Sequence, residues 1–273
     1  MKVINKTLDI WIWPLTAVLI FLALQFISVF VIKTAVFMAF DESSSATLNI
    51  APWSMLVSSL LTILVLTLLK PFKLFKEFRI WICDNWNALI AFLIALLAIF
   101  GANAMNELLE KLLGMQMDSE YRQLYEDVIK SPVGLFAVVV AGPVCEEIVF
   151  RAGIMKPMID RNVKPWIPIV VSAGIFGLVH GNIAQMIYAT AIGLVFAVVY
   201  HRTRSLLISS FMHILNNLIT VTVMVNYDNY EELTFERFMG RGPLIVAFVV
   251  TLAMIVVLVR YFWINTEKYQ TKS

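Results

Sequence analysis

Apolar residues in this chain come in long blocks, separated by short polar or charged stretches. Eight blocks stand out, approximately Trp11 to Ile32, Trp53 to Leu69, Trp86 to Ala104, Pro132 to Met155, Trp166 to Asn182, Ala184 to Tyr200, Leu206 to Val225 and Pro243 to Ile264. None alternates with the period of two that marks a half-buried strand, and most approach the roughly 20 apolar residues a helix needs to cross a bilayer core. The pattern therefore predicts an all-α, polytopic transmembrane helical bundle of about eight spans. The first block, behind Lys2 and Lys6, is longer than the roughly 7–15 apolar residues of a signal-peptide core and reads as a membrane helix. The fifth and sixth blocks are divided only at Gly181 and Asn182, which predicts a tight hairpin.

Between the third and fourth blocks the chain is polar but carries Leu108, Leu109, Leu112 and Leu113. Glu107 and Lys111 have the i,i+4 spacing of a helix surface pair. A short amphipathic helix on the membrane surface is expected here. Ser131 and Pro132 have the order of a cap and a first-turn proline opening the fourth span.

Composition agrees with the blocks. Of 273 residues, 60% are hydrophobic and only 15% charged, with a mean hydropathy of +0.83. A soluble domain has about a quarter charged residues. The net charge of +2 gives no case for nucleic acid. Cys83 and Cys145 are far apart and in no metal or redox spacing. Lys and Arg concentrate in one set of alternating loops, at Lys70, Lys73, Lys76, Arg79, Lys156, Arg161, Lys164, Arg202, Arg204, Lys268 and Lys272. By the positive-inside rule these face the cytoplasm, together with both termini. Trp53, Trp86, Trp166 and Trp263 fall near span ends, where amphipathic rings favour the interface.

Against this background the intramembrane polar residues are few. The fourth span holds Glu146, Glu147 and Arg151, the fifth His180, and the seventh His213, Asn216 and Asn217. The chain has three histidines; the third, His201, lies at a span end beside Arg202 and Arg204 and is expected at the interface. Ionisable groups at membrane depth cost a few kcal/mol or more each, and they mark function. Glu147 and Arg151 are four apart and can pair on one helix face, which leaves Glu146 facing elsewhere as a base. Phe176 and His180 share a face in the same way, as do His213 and Asn217. Gly142 and Pro143 just before the glutamates predict a kink, and Ala141, Gly142, Ala152 and Gly153 predict close helix approach.

These side chains suit hydrolysis. Glu146 with His180 can activate a water, and His213 with Asn217 can donate hydrogen bonds to an oxyanion. Equally, Glu146, His180 and His213 can ligate a divalent metal, zinc being the expected ion, that carries the water. The residues leave both routes open.

The stretch Gly142-Pro143-Val144-Cys145-Glu146-Glu147-Ile148-Val149-Phe150-Arg151 resembles the Glu-Glu-x-x-x-Arg motif of the CAAX-protease and bacteriocin-processing (CPBP, or Abi) family. Phe176-Gly177-Leu178-Val179-His180 is similar to its Phe-x-x-x-His motif, and His213-Ile214-Leu215-Asn216-Asn217 to its His-x-x-x-Asn motif. Thr203-Arg204-Ser205-Leu206-Leu207 also looks familial. Ala152 departs from the glycine that often follows the arginine. The resemblance implies an intramembrane endopeptidase with Glu146, His180, His213 and Asn217 as the catalytic set, supported by Glu147, Arg151 and Phe176. Members are commonly described as metalloproteases, although a metal-free glutamate mechanism has also been argued. Eukaryotic members trim prenylated CAAX proteins, and bacterial ones are linked to peptide maturation and bacteriocin immunity. The implied organisation is residues 1–130 as N-terminal helices, 131–223 as the catalytic core and 224–273 as the last span. Membrane lipid and a membrane-associated protein or peptide substrate are the expected partners, and the plasma membrane of a bacterium the expected location. The competing readings are a non-enzymatic immunity or scaffold protein and a secondary transporter. The latter shares kinked helices and midplane acids but should show an inverted repeat, which this sequence lacks.

Overall fold

The computed structural model describes residues 2–39, 50–69, 85–114, 119–226 and 234–265. Lys70, Lys73, Lys76, Arg79, Cys83, Lys268 and Lys272 lie outside the described residues, as do the side chains of Lys2, Lys6, Trp86, Leu112 and Leu113. Every described regular element is a helix. In lipid this is what elementary chemistry demands, since a helix satisfies its own backbone hydrogen bonds. In chain order the helices are α1 (Lys2–Ala39), α2 (Ala51–Leu68), α3 (Asn85–Leu113), α4 (Ser119–Ile129), α5 (Pro132–Asp160), α6 (Trp166–Leu178), α7 (Ile183–Thr203), α8 (Leu206–Asn226), α9 (Phe235–Met239) and α10 (Arg241–Asn265).

Among the described residues, seven helices are long and apolar enough to cross a membrane, and α6 is a shorter apolar helix of 13 residues. Seven of the eight expected spans are thus present among the described residues, while the expected fifth, Trp166 to Asn182, is the shorter helix α6, ending at Leu178; the protein is a multi-pass helical membrane bundle. The most hydropathic stretches of α1 and α10 are only 17% and 11% buried in the protein, while that of α5 is 56% buried. The outer helices face lipid, and α5 is the axis of the bundle, touched by α1, α2, α6, α7 and α8. Gly153 makes one of these approaches tight, since a Cβ there would lie 2.6 Å from that of Ala17 on α1.

Several local expectations are met in detail. Ser131 Oγ accepts the N–H of Gly134 at 2.9 Å and opens α5 with Pro132 in its first turn. The hairpin between α6 and α7 turns through Gly181, at φ +71°, and Asn182 then caps α7 by accepting from the N–H groups of Ala184 and Gln185.

Others need correction. Leu108 and Leu109 do not begin a separate surface helix; they continue α3 to Leu113, and the separate short helix is α4. Glu107 is not a surface residue. It is 8% exposed, and its carboxylate accepts the backbone N–H groups of Phe235 (2.7 Å) and Glu236 (2.9 Å), capping α9. Lys111 then bridges Glu107 (3.2 Å) and Glu236 (2.7 Å). A sequence pair spaced for its own helix has been recruited to tie two distant segments together. The hydrogen bond from Lys111 holds the Glu236 carboxyl below its usual range, with help from Arg241.

His201, in the last turn of α7, is buried among protein side chains. Its ring stacks on Trp263 at 5.4 Å, and Arg202 lies over the same indole at 4.4 Å. Trp263, half-buried, joins α7 to α10, whereas Trp53 and Trp166 are exposed.

Candidate active site

The site is built on α5, and α5 is not a regular helix. It is π-helical over Ala137–Ala141 and again over Ile148–Met155, with the α-helical turn Gly142–Glu147 between. Single π turns concentrate at functional sites because they re-aim side chains. The sequence gives a reason for the first one. The N–H of Gly142 bonds to the carbonyl of Ala137, five residues back. In that register the carbonyl of Val138 should receive the N–H of residue 143, which is Pro143 and has none. The amide Nδ2 of Asn217, on α8, donates to Val138 O at 2.9 Å instead. Gly142 serves this bulge rather than helix packing, since a Cβ there would meet the Ala137 carbonyl at 2.9 Å.

The next turn separates the two glutamates, as their spacing requires. Glu147 is fully buried and pairs with the fully buried Arg151, Nε to Oε2 at 2.9 Å and Nη2 to Oε1 at 3.3 Å. Arg151 Nη1 donates to Ser172 Oγ on α6 at 2.7 Å, and that hydroxyl donates onward to the carbonyl of Phe150 at 2.9 Å. Each side-chain nitrogen and oxygen of the ion pair thus has a partner within the protein, as a buried charge requires. Glu146 points away from it, and its side chain is 25% exposed.

His213 lies between the two carboxylates. Its Nδ1 is 3.3 Å from Glu147 Oε1 and its Nε2 is 3.6 Å from Glu146 Oε2. Glu147 is an acceptor, so Nδ1 carries a hydrogen toward it, and Nε2 faces Glu146. Aromatic rings hold the imidazole. Phe176 is edge-on at 5.6 Å and Phe196 lies at 5.4 Å. Phe176 is also edge-on to His180 at 4.9 Å and to Phe150 at 5.1 Å. It is the partition between the two histidines. His180 contacts the Phe176 carbonyl through Nδ1 at 2.7 Å, which places the hydrogen on Nδ1 and leaves Nε2 as an acceptor. Gly177 lets α6 lie close to α7, since a Cβ there would meet Thr190 Oγ1 at 2.0 Å.

The structure thus brings Glu146, Glu147, Arg151 and His213 into one contact network, with Phe176 linking His180 to it. Asn217 faces the first π turn of the same helix. Among the described residues no three His, Cys, Asp or Glu side chains are gathered closely enough to hold a metal ion. Glu146 and His213 together are one donor short of the three protein ligands that catalytic zinc takes.

Sequence reading missed Ser172, Phe196 and Tyr188. Ser172 had a signal, since it precedes Phe176 by four and His180 by eight, on one helical face. Phe196 and Tyr188 look like ordinary members of an apolar span.

Residues 129–219 match a family model described as Type II CAAX prenyl endopeptidase Rce1-like. The chain is 26% identical over 149 residues to the protein named "Putative membrane peptidase YdiL" of Bacillus subtilis (strain 168); the match covers 53% of this chain and 61% of that protein. It is 28% identical over 214 residues to the membrane-embedded CAAX protease MroQ of Staphylococcus aureus (strain USA300), covering 74% of this chain and 85% of that one. No solved structure matches.

Proposed function

From the premise that residues 129–219 carry a segment of the Rce1-like family, we propose that this chain is an intramembrane endopeptidase that hydrolyses a peptide bond in a membrane-associated protein or peptide. One observation supports it above the others. Glu146, an accessible carboxylate, faces the imidazole of His213, whose opposite nitrogen is fixed by a fully buried Glu147–Arg151 pair. A scaffold needs the ion pair but has no use for the free acid beside it.

In this reading Glu146 takes a proton from water as the oxygen attacks the carbonyl carbon. Nε2 of His180 accepts the water's other hydrogen and aims it. Asn217 spends one Nδ2 hydrogen on Val138 O; the second is available to the oxyanion, where one such donor is worth about 3 kcal/mol. When the C–N bond breaks, the proton held between Glu146 and Nε2 of His213 passes to the leaving nitrogen. Water's hydroxyl ends on the new carboxyl and its proton on the new amine. No step is routed through a metal, because the gathered donors do not complete a ligand set.

The test uses purified protein in lipid nanodiscs with fluorogenic membrane-anchored peptides, with and without a chelator. Glu146→Gln is expected to lower kcat by about 10²–10⁴-fold without unfolding the protein. Cleavage should survive chelation. Loss on chelation with restoration by added zinc would overturn the protein-only mechanism. Equal cleavage by parent and Glu146→Gln would overturn the assignment of the base. A parent that cleaves no peptide, with a Glu146→Gln strain that behaves as wild type, would favour a binding or immunity role.

A further inference from the structure

A chain of side-chain hydrogen bonds crosses the bundle from α3 to α5 and ends at the site. Asn103 Nδ2 donates to the carbonyl of Ile99 at 2.7 Å, and the Asn103 side chain lies within reach of Tyr188 on α7. Tyr188 Oη donates to Asn216 Oδ1 at 2.7 Å. Asn216 Nδ2 donates to Asn217 Oδ1 at 3.0 Å, and Asn217 Nδ2 donates to Val138 O at 2.9 Å. Four helices contribute a link.

Both ends fix the direction of the whole relay. A backbone carbonyl can only accept, so Asn217 must turn its amide nitrogen to Val138. Its oxygen then faces Asn216, which must answer with nitrogen. The oxygen of Asn216, a residue only 5% exposed, is left pointing at α7 and needs a donor. At the other end, the phenol has one hydrogen, which Asn216 Oδ1 accepts at 2.7 Å, so Asn103 can reach the phenol oxygen only through Nδ2. A hydroxyl on α7 accepts from Asn103 and donates to Asn216 at once.

We infer that Tyr188 is a positioning residue, whose phenol hydroxyl steadies the Asn217 amide through Asn216. Without it, Asn216 keeps a buried oxygen that lacks a donor, its hold on Asn217 Oδ1 loosens, and the Asn217 amide is left on the Val138 O bond alone. Tyr188 acts through two other side chains and need not touch the substrate. This inference rests on the proposed oxyanion role of Asn217, but the orientation of the amide can be read without any substrate.

The experiment takes Tyr188→Phe and, in case that variant unfolds, Asn103→Ala. Both are compared with the parent in nanodiscs with ¹⁵N-labelled asparagine. The Asn217 side-chain amide signal is assigned by its loss in Asn217→Ala. In the parent its two protons should be well separated and slow to exchange. Tyr188→Phe should shift the pair and speed its exchange, two residues away from the change. Asn103→Ala should do so in part, by freeing the hydroxyl to rotate. Where the parent cleaves, Tyr188→Phe should lower kcat about tenfold, the equivalent of one hydrogen bond, with KM unchanged. An unmoved Asn217 amide signal in folded variants overturns the inference, whatever the kinetics. An unmoved kcat with a shifted amide overturns the catalytic part of it. Equal cleavage by parent and Glu146→Gln sinks the proposed mechanism instead and leaves the amide readout standing.

Discussion

Arg151→Met is the sharpest perturbation the fold offers. Methionine is unbranched and apolar, so the change removes the guanidinium with less lost packing than alanine would cause. What it leaves behind is Glu147, fully buried, with His213 Nδ1 as its remaining close partner at 3.3 Å. Two bonds to the carboxylate and one to Ser172 disappear together. Removing one member of a buried pair costs about 3–5 kcal/mol, mostly because the surviving charge is uncompensated. At roughly 2–4 °C per kcal/mol for a chain approaching this size, Tm should fall by about 6–20 °C. The assay is thermal unfolding in one detergent at one scan rate, since membrane proteins often unfold irreversibly. The control is the double variant with Glu147→Gln, in which no charge is left buried. It should recover at least half of the loss. A single variant within about 2 °C of the parent would refute the reasoning, and so would a double variant no better than the single.

Three further outcomes follow from the same geometry. Pro143→Ala supplies the N–H that Val138 O lacks in the π register, so it should hold or raise Tm while lowering kcat, because Asn217 loses its anchor; equal kcat/KM in both forms would count against the bulge as a working part. Gly177→Ala drives a Cβ against Thr190 Oγ1 and the Met186 carbonyl, and calorimetry should show a loss of about 1–3 kcal/mol together with weakened cleavage as His180 shifts. Glu236 has its carboxyl pKa held below the ordinary value of 4.5, so the Lys111 clip is fully present above that pH and is lost as pH falls through the lowered folded value. Parent Tm should therefore drop between neutral and strongly acidic pH by more than that of Glu236→Gln, and high salt should shrink the difference.

How far the sequence carried this reading depended on distance along the chain. Helices could be placed because each span is a local run of apolar residues. The Glu147–Arg151 pair could be foreseen because four residues return a helix to the same face. The role of Phe176 could be seen only in part: its spacing to His180 is local, whereas its contact with His213 joins α6 to α8. Glu107 misled for the same reason. Its spacing to Lys111 is real, at 3.2 Å, but the N–H groups it caps lie some 130 residues further on, and no local pattern encodes them. The first π turn was visible only as a proline after a glycine. That predicts a disturbed helix, yet the kind of disturbance was set by Asn217, which takes up the orphaned carbonyl from another helix.

The brevity of α6 has a consequence for how a substrate is met. With 13 residues it is about 20 Å long, some 10 Å less than the hydrocarbon thickness of a typical bilayer. Lipid beside so short an element must thin, or let headgroups dip toward it. His180 sits just past its end, so such a thinned patch would lie beside the candidate site. A peptide bond pulled out of a helix would face several kcal/mol of unmet hydrogen bonding in undisturbed hydrocarbon. Under the proposed function, thinned lipid there would lower that cost. The short helix would then bring a local weak spot of the membrane to the side chains proposed to open the chain.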